Sequence, residues 1–376
     1  MWHAHRALGV RTLLVTGAVG DDEARLDPAA AGLPSLPFAT ALAQGAAAEG
    51  WVVVPALRRG VAPFADRRAA AALRRLLRAF APDVVHTHTS KAGWLGRRAA
   101  RAVAVPRLVH TFHGHVLQDY FGGPMSAVLR RLERRLAART DVLVAVSDSC
   151  ADELAAAGVA ARARFVVVPP AVPLVPPLAR AAARARLGIA AGAVALACVG
   201  RLVPIKRVAH FVDVLAARPD WQGHVFGDGP ERPALAAHVA ARAPGRVTLH
   251  GAVGDVAASL AAFDALLLPS VREGCPLVAI EAFAAGTPVV GYDVPGVRDV
   301  LRTWGDGLLV RPARGPNGLV EAVETVLADP VASRSRVQRA RDGVGRFAPA
   351  AVAERLLGLY GAGKADFPRY DGAPSA

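Results

Sequence analysis

Along most of this chain, short runs of β-branched and apolar residues alternate with longer stretches in which apolar positions recur every three or four residues. The runs "RTLLVTG" (11–17), "WVVV" (51–54), "DVVHTH" (83–88), "RLVHTF" (107–112), "DVLVAVS" (141–147) and "RFVVV" (164–168) predict strands. Helical patterns fall between most of them, among them "DRRAAAALRRLLRAF" (66–80) and "SAVLRRLERRLAART" (126–140). Such alternation predicts parallel βαβ units with both faces of the sheet covered. It breaks at "PPAVPLVPP" (169–177), where five prolines in nine residues exclude a helix or a central strand and predict an interdomain linker. It then restarts with "AVALACVG" (193–200), "GHVFG" (223–227), "RVTLHG" (246–251), "DALLLPS" (264–270), "TPVVGY" (287–292) and "DGLLVRP" (306–312). The expected fold is therefore α/β, with two Rossmann-like, doubly wound domains whose strand carboxyl ends face a cleft.

Composition changes this picture little. A chain of 376 residues is long enough for two cores. It has no strongly apolar run of the roughly 18 residues that would mark a membrane span, and no charged-then-apolar leader opens it. Cys150, Cys198 and Cys275 are too scattered for a disulfide framework or a zinc site, which fits a reducing cytoplasm. The net charge of +14 points to an anionic partner or surface. It also fits a GC-rich coding bias, because Lys91, Lys206 and Lys364 are the only lysines beside many arginines. The arginines lie on helices without interleaved aromatics and match no nucleic-acid motif, so no nucleic-acid partner is expected.

Candidate chemistry sits at strand ends. In "VGRLVPIKR", Gly200 permits a sharp turn, and Arg201 and Lys206 then project beside a helix start, an arrangement suited to a diphosphate. "VFGDGPERPAL" (225–235) repeats the strand–turn–helix layout, with Gly227 in the turn and Pro230 near the helix start; it either lines a nucleotide or only connects. "SVREGCPLVAIEAFAAGTPVV" places Glu273 in a loop, Gly274, Cys275, Pro276 and Leu277 at a helix start, and Glu281 inside the helix. Gly286 suits the C-terminal cap. Backbone N–H groups around Cys275 to Val278 can hold phosphate oxygens, and the two carboxylates can accept from sugar and ribose hydroxyls. Among mostly apolar neighbours a carboxylate needs partners, so Glu281 is expected to have them. "VHTHTSKAG" and "LVHTFHGHV" bring His86, His88, His110, His113 and His115 to strand ends. With no Asp-x-Asp and no nearby cysteine, a metal site is not expected. His86 and His110 read as core residues, and His113 as an imidazole that hydrogen-bonds a sugar or polarises a hydroxyl.

Together, "VGRLVPIKR", "GDGP", "REGCPLVAIEAFAAGTPVV" and "TFHGH" resemble the retaining, nucleotide-sugar-dependent glycosyltransferases of GT-B fold in family 4, from about residue 11 to 360. The E-x7-E pair, Glu273 to Glu281, is the most specific mark. "HTHTSKAG" and "HTFHGHV" further resemble bacterial enzymes of capsule, exopolysaccharide or cell-wall synthesis. The resemblance implies an acceptor-side domain over 1–170, a nucleotide-sugar donor domain over 171–345, a helix over 346–360 packing back on the first domain, and a flexible tail over 361–376. It implies that Arg201 and Lys206 neutralise the diphosphate, Glu273 binds the donor sugar, Glu281 binds the ribose, and His113 meets the transferred sugar. No metal or other cofactor is implied. The donor is expected to be a UDP-sugar and the acceptor a glycan or polyprenyl-linked molecule. A glycosidase is disfavoured, since both carboxylates lie in one segment rather than flanking a scissile bond.

Two further expectations concern the first domain. "DYFGGPM", with Tyr120, Phe121 and Met125, followed by Arg130, Arg131, Arg134, Arg135 and Arg139, suits peripheral contact with an anionic membrane; a solvated arginine face is the alternative. The family's first strand and glycine-rich loop have no counterpart before "HRALGVRTLLVTG". Because their loss would unpair a central strand, the true start is expected some 25 to 40 residues upstream, about the length of a strand, loop and helix. The alternative is a catalytically impaired relative that still binds a nucleotide sugar.

Overall fold

The structure is a computed structural model that describes residues 1–18, 32–58, 60, 62–114 and 123–361. Twelve strands are found among these residues, at or within a few positions of the runs named above: β1 Leu13–Gly17, β2 Gly50–Val54, β3 Val84–His88, β4 Arg107–Phe112, β5 Val142–Ala145, β6 Phe165–Val167, β7 Val194–Val199, β8 Trp221–Phe226, β9 Val247–Gly251, β10 Ala265–Leu268, β11 Val289–Tyr292 and β12 Leu308–Val310. Every pairing between them is parallel. The chain divides into two compact units. The first comprises Met1–Val146, Cys150–Val168 and the chain from Val352; the second comprises Ser147–Ser149 and Pro169–Ala351. Among the described residues no helix is long and apolar enough to cross a membrane.

The first unit holds two sheets, β1-β2 and β3-β4-β5-β6. Among the described residues β1 and β3 thus each pair on one side only, and all five residues of β1 are half-buried, whereas β5 is buried throughout. The arginine-rich pattern forms a helix over Gly123–Ala137, and its single acid explains its seat. Glu133 meets Arg97 of the Ser90–Ala102 helix at 2.6 Å, with the Arg97 side chain fully buried. Removing either partner would strand a buried charge, a loss of about 3–5 kcal/mol. The helix Pro349–Gly361 closes on this unit: Arg107 Nε donates to Leu359 O (3.0 Å), Arg355 to Val167 O (3.1 Å), and Tyr360 Oη meets His86 Nδ1 (2.7 Å).

The second unit is one six-stranded sheet in the order β12-β11-β10-β7-β8-β9. Its central strands β10 and β11 are buried at every position, as expected when helices cover both faces. The proline-rich stretch carries no regular element but is pinned to this unit, by Val172 N to Phe347 O (2.8 Å) and, just beyond it, Leu178 N to Ala258 O (2.9 Å).

Candidate active site

In the second unit the chain winds outward from β7 through β8 and β9 on one side, and from β10 through β11 and β12 on the other. The order reverses between β7 and β10, and the carboxyl ends of two such strands form the usual ligand site of a doubly wound sheet. The loop after β7 carries Gly200, Arg201 and Lys206. The loop after β10 carries Glu273.

After β7 the backbone turns at Gly200 (φ 154°) and runs through a short 3₁₀ turn, Pro204–Lys206, into the helix Val208–Ala217. Lys206 Nζ lies 2.6 Å from Glu273 Oε1, and Ser270 Oγ donates to the same oxygen at 2.7 Å. The guanidinium of Arg201 is exposed and makes no hydrogen bond or ion pair among the described residues. The "GDGP" turn backs this loop. Leu202 N donates to Asp228 O (2.9 Å), and a Cβ at Gly227 (φ 136°) would lie 1.9 Å from Gly200 O, so only glycine allows the two backbones to touch. Pro233, rather than Pro230, occupies the first turn of the following helix, Arg232–Arg242.

The β10 loop is fastened on both sides. Val271 N donates to Ile205 O (2.8 Å), which ties it to the Lys206 turn, and Glu273 N donates to Pro295 O (3.0 Å). Gly296 (φ 78°) presses on it from below: a Cβ there would sit 2.2 Å from Glu273 O. The chain passes Gly274 and Cys275 and caps the helix Leu277–Ala285 with buried Pro276; Gly286 (φ 82°) ends it in the left-handed conformation. The helix thus starts four residues after Glu273, and its first turn is where N–H groups lack intrahelical acceptors.

Glu281, in the second turn, is half-buried between buried Ile280 and Ala282. Its carboxylate makes no hydrogen bond or ion pair among the described residues, and burial raises its pKa above the usual glutamate value. Beneath the site, burial pushes the Cys198 thiol up to about 12, so it stays protonated and takes no part as a thiolate.

The histidines gather in the first unit, at the carboxyl ends of β3 and β4. His86 and His88 share a face with rings stacked 4.4 Å apart, and His88 Nδ1 meets His113 Nε2 at 2.9 Å. His86 is only half-buried and is fixed by Tyr360 and by Thr111 (2.7 Å each), whereas His110 is buried against Thr87 (2.8 Å). Burial lowers the pKa of all four, so they are neutral at pH 7 and act as hydrogen-bond groups rather than cations. His115, Tyr120 and Phe121 lie outside the described residues, as does the side chain of Met125. Among the described residues no three His, Cys, Asp or Glu side chains are placed to hold a metal ion.

Sequence reasoning passed over two contributors, Ser270 and the turn around Pro295 and Gly296. The serine's position at the end of the strand, three residues before Glu273, was the available signal. The turn reaches the site only through chain folding.

Comparison with known proteins bears on the family and the fold. Residues 3–175 match the family described as Glycosyltransferase Family 4, and residues 193–329 match Glycosyl transferases group 1. The Escherichia coli UDP-Gal:alpha-D-GlcNAc-diphosphoundecaprenol alpha-1,3-galactosyltransferase is 30% identical over 275 residues, covering 68% of this chain and 70% of that protein. The 2-deoxystreptamine N-acetyl-D-glucosaminyltransferase of Streptomyces fradiae is 33% identical over 320 residues, covering 78% of this chain and 70% of that one. Among solved structures, the HepE protein of Anabaena, in complex with UDP and glucose, superposes with a TM-score of 0.70 at 20% identity, covering 82% of this chain and 85% of that one. Sucrose-phosphate synthase from Thermosynechococcus elongatus does so with a TM-score of 0.72 at 23% identity, covering 93% and 98%. Two parallel α/β units with a cation pair and an E-x7-E segment at one sheet's switch point, the matching family regions and these relatives lead to one conclusion: the chain belongs to the family 4 glycosyltransferases of GT-B fold.

Proposed function

We propose that the chain transfers a sugar from a UDP-sugar to a glycan or polyprenyl-linked acceptor, with retention of anomeric configuration and without a metal. The observation that carries this reading is the meeting of Lys206 and Glu273 at the β7–β10 switch point, with Arg201 on the same loop as Lys206 and Glu281 on the helix that follows Glu273. Two cations and a helix N-terminus suit the diphosphate. Glu273 suits sugar hydroxyls, and Glu281, without a partner among the described residues, suits the ribose. The Escherichia coli relative is named for UDP-Gal and a diphosphoundecaprenol-linked sugar, which favours this donor and acceptor class.

In the reaction, the bond from the anomeric carbon to the leaving phosphate breaks. The acceptor oxygen bonds to the same face of that carbon, and its proton passes to the phosphate oxygen. Arg201 and Lys206 stabilise the charge that grows on the diphosphate, the main electrostatic contribution. His113, neutral and held by His88, would meet the transferred sugar. Incubation with a panel of nucleotide sugars, following transfer, hydrolysis and thermal shift, tests the donor. Turnover is expected to survive chelation by EDTA, and its loss would refute the metal-free reading.

We also propose contact with an anionic membrane through the first unit. The helix Gly123–Ala137 exposes Val128 (62%) with Arg131, Arg134 and Arg135, and the helix Pro63–Phe80 exposes Phe64 (80%) with Arg67, Arg68, Arg75 and Arg78. Flotation with phosphatidylglycerol liposomes at low and high salt tests it, and no binding at low salt removes the idea.

A further inference from the structure

We infer that Ser270 is a positioning residue for the donor sugar, holding the Glu273 carboxylate through one oxygen so that the other faces the ligand; this rests on the donor-site reading above. Oε1 of Glu273 takes both the Lys206 ammonium (2.6 Å) and the Ser270 hydroxyl (2.7 Å), while Oε2 carries no hydrogen bond among the described residues. The carboxylate is thus anchored at one end and open at the other.

The two anchors are not equivalent. A diphosphate competes for Lys206, because it offers the ammonium more negative charge than one carboxylate does. When the donor enters, the hold of Lys206 on Glu273 weakens at the moment the sugar needs it. The Ser270 hydroxyl has no such competitor. Ser270 is 2% exposed, stands two residues past β10, and among the described residues donates to nothing but Glu273. The loop backbone is already fastened at Val271 and Glu273, so the side-chain torsions of Glu273 are the freedom left, and ordering a long side chain has a real entropic cost. A serine placed only to complete the interior would satisfy its hydroxyl on a backbone carbonyl, the commoner arrangement. Here it is spent on a site carboxylate.

The test is a double-mutant cycle of Ser270→Ala and Glu273→Gln, read as donor kcat/KM with UDP-glucose, UDP-galactose and UDP-N-acetylglucosamine. Ser270→Ala is expected to lower kcat/KM about tenfold, the loss of one hydrogen bond to a charged group. Ser270→Thr, which keeps the hydroxyl, should recover most of it. In the Glu273→Gln background, Ser270→Ala should cost nothing further. An equal loss in both backgrounds, or no rescue by threonine, overturns the inference while leaving the donor site standing. Full activity of Glu273→Gln alone sinks the donor-site reading itself, and the inference with it. A readout independent of turnover is the crystal structure of Ser270→Ala with UDP bound, where Glu273 is expected to leave its rotamer; a carboxylate unmoved there also overturns the inference.

Discussion

Glu281→Gln is expected to weaken ligand binding while leaving the ligand-free protein as stable as before, or more so. The Glu281 carboxylate is half-buried in the Leu277–Ala285 helix, has no partner among the described residues, and is driven by burial toward its protonated form. Glutamine has nearly the same shape and a similar helix propensity, so the substitution removes charge and little else. Without ligand, that charge is a cost of desolvation. Because the folded state holds the proton more tightly than the unfolded chain does, stability at this position falls as pH rises through the raised pKa. The variant should therefore match the wild type at low pH and meet or exceed its Tm at pH 7–8. With ligand the sign reverses. A hydroxyl bonded to a carboxylate gains about 1.5–3 kcal/mol against 0.5–1.5 for a neutral acceptor, so losing the charge costs about 1–2 kcal/mol. That is about 5- to 30-fold in Kd. Titration calorimetry with UDP at pH 7.5 measures the affinity whichever sugar the donor carries, and differential scanning calorimetry of the ligand-free protein measures Tm. A Tm lower by several degrees together with unchanged UDP affinity would refute the reasoning, since Glu281 would then be a structural residue with partners of its own.

Three other outcomes follow from the geometry. Lys206→Ala should cut turnover about 10²-fold with the fold intact, because it removes one of the two cations proposed to face the leaving group, and steady-state kinetics beside circular dichroism check it. Gly296→Ala should destabilise the second unit by roughly 2 kcal/mol or more, since its Cβ would lie 2.2 Å from Glu273 O at a φ of 78°; chemical denaturation reads this, and a neutral result would mean the turn yields freely. His224, buried beside His250 (2.9 Å), has its pKa lowered to about 4 from 6.5, mainly by burial, so the unfolded chain takes up its proton first and stability drops as pH falls from 6.5 to 4. The shift corresponds to about 3 kcal/mol, and His224→Gln should flatten that part of the stability–pH curve.

The features legible in the chain before folding are local ones. Runs of β-branched residues and three-to-four-residue periodicity located every strand found among the described residues, because strand and helix preferences act over a few neighbouring side chains. Five prolines marked the break near residue 169 for the same reason: a missing N–H and a fixed φ act at their own position. Scarce Lys206, the Gly200 turn and the Glu273–Glu281 spacing identified the candidate site, since their chemistry is carried by residue type and short spacing. Which strands lie side by side is set instead by long-range packing. Nothing local says that β10 adds beside β7 and so brings Lys206 to within 2.6 Å of a carboxylate 67 residues away. The same holds for Tyr360 against His86, 274 residues apart, and for Glu133, which reads as one acid on an arginine-rich helix until Arg97 meets it in the interior. Such contacts depend on the order in which whole elements pack, which sums many weak long-range terms and leaves no mark at any single position.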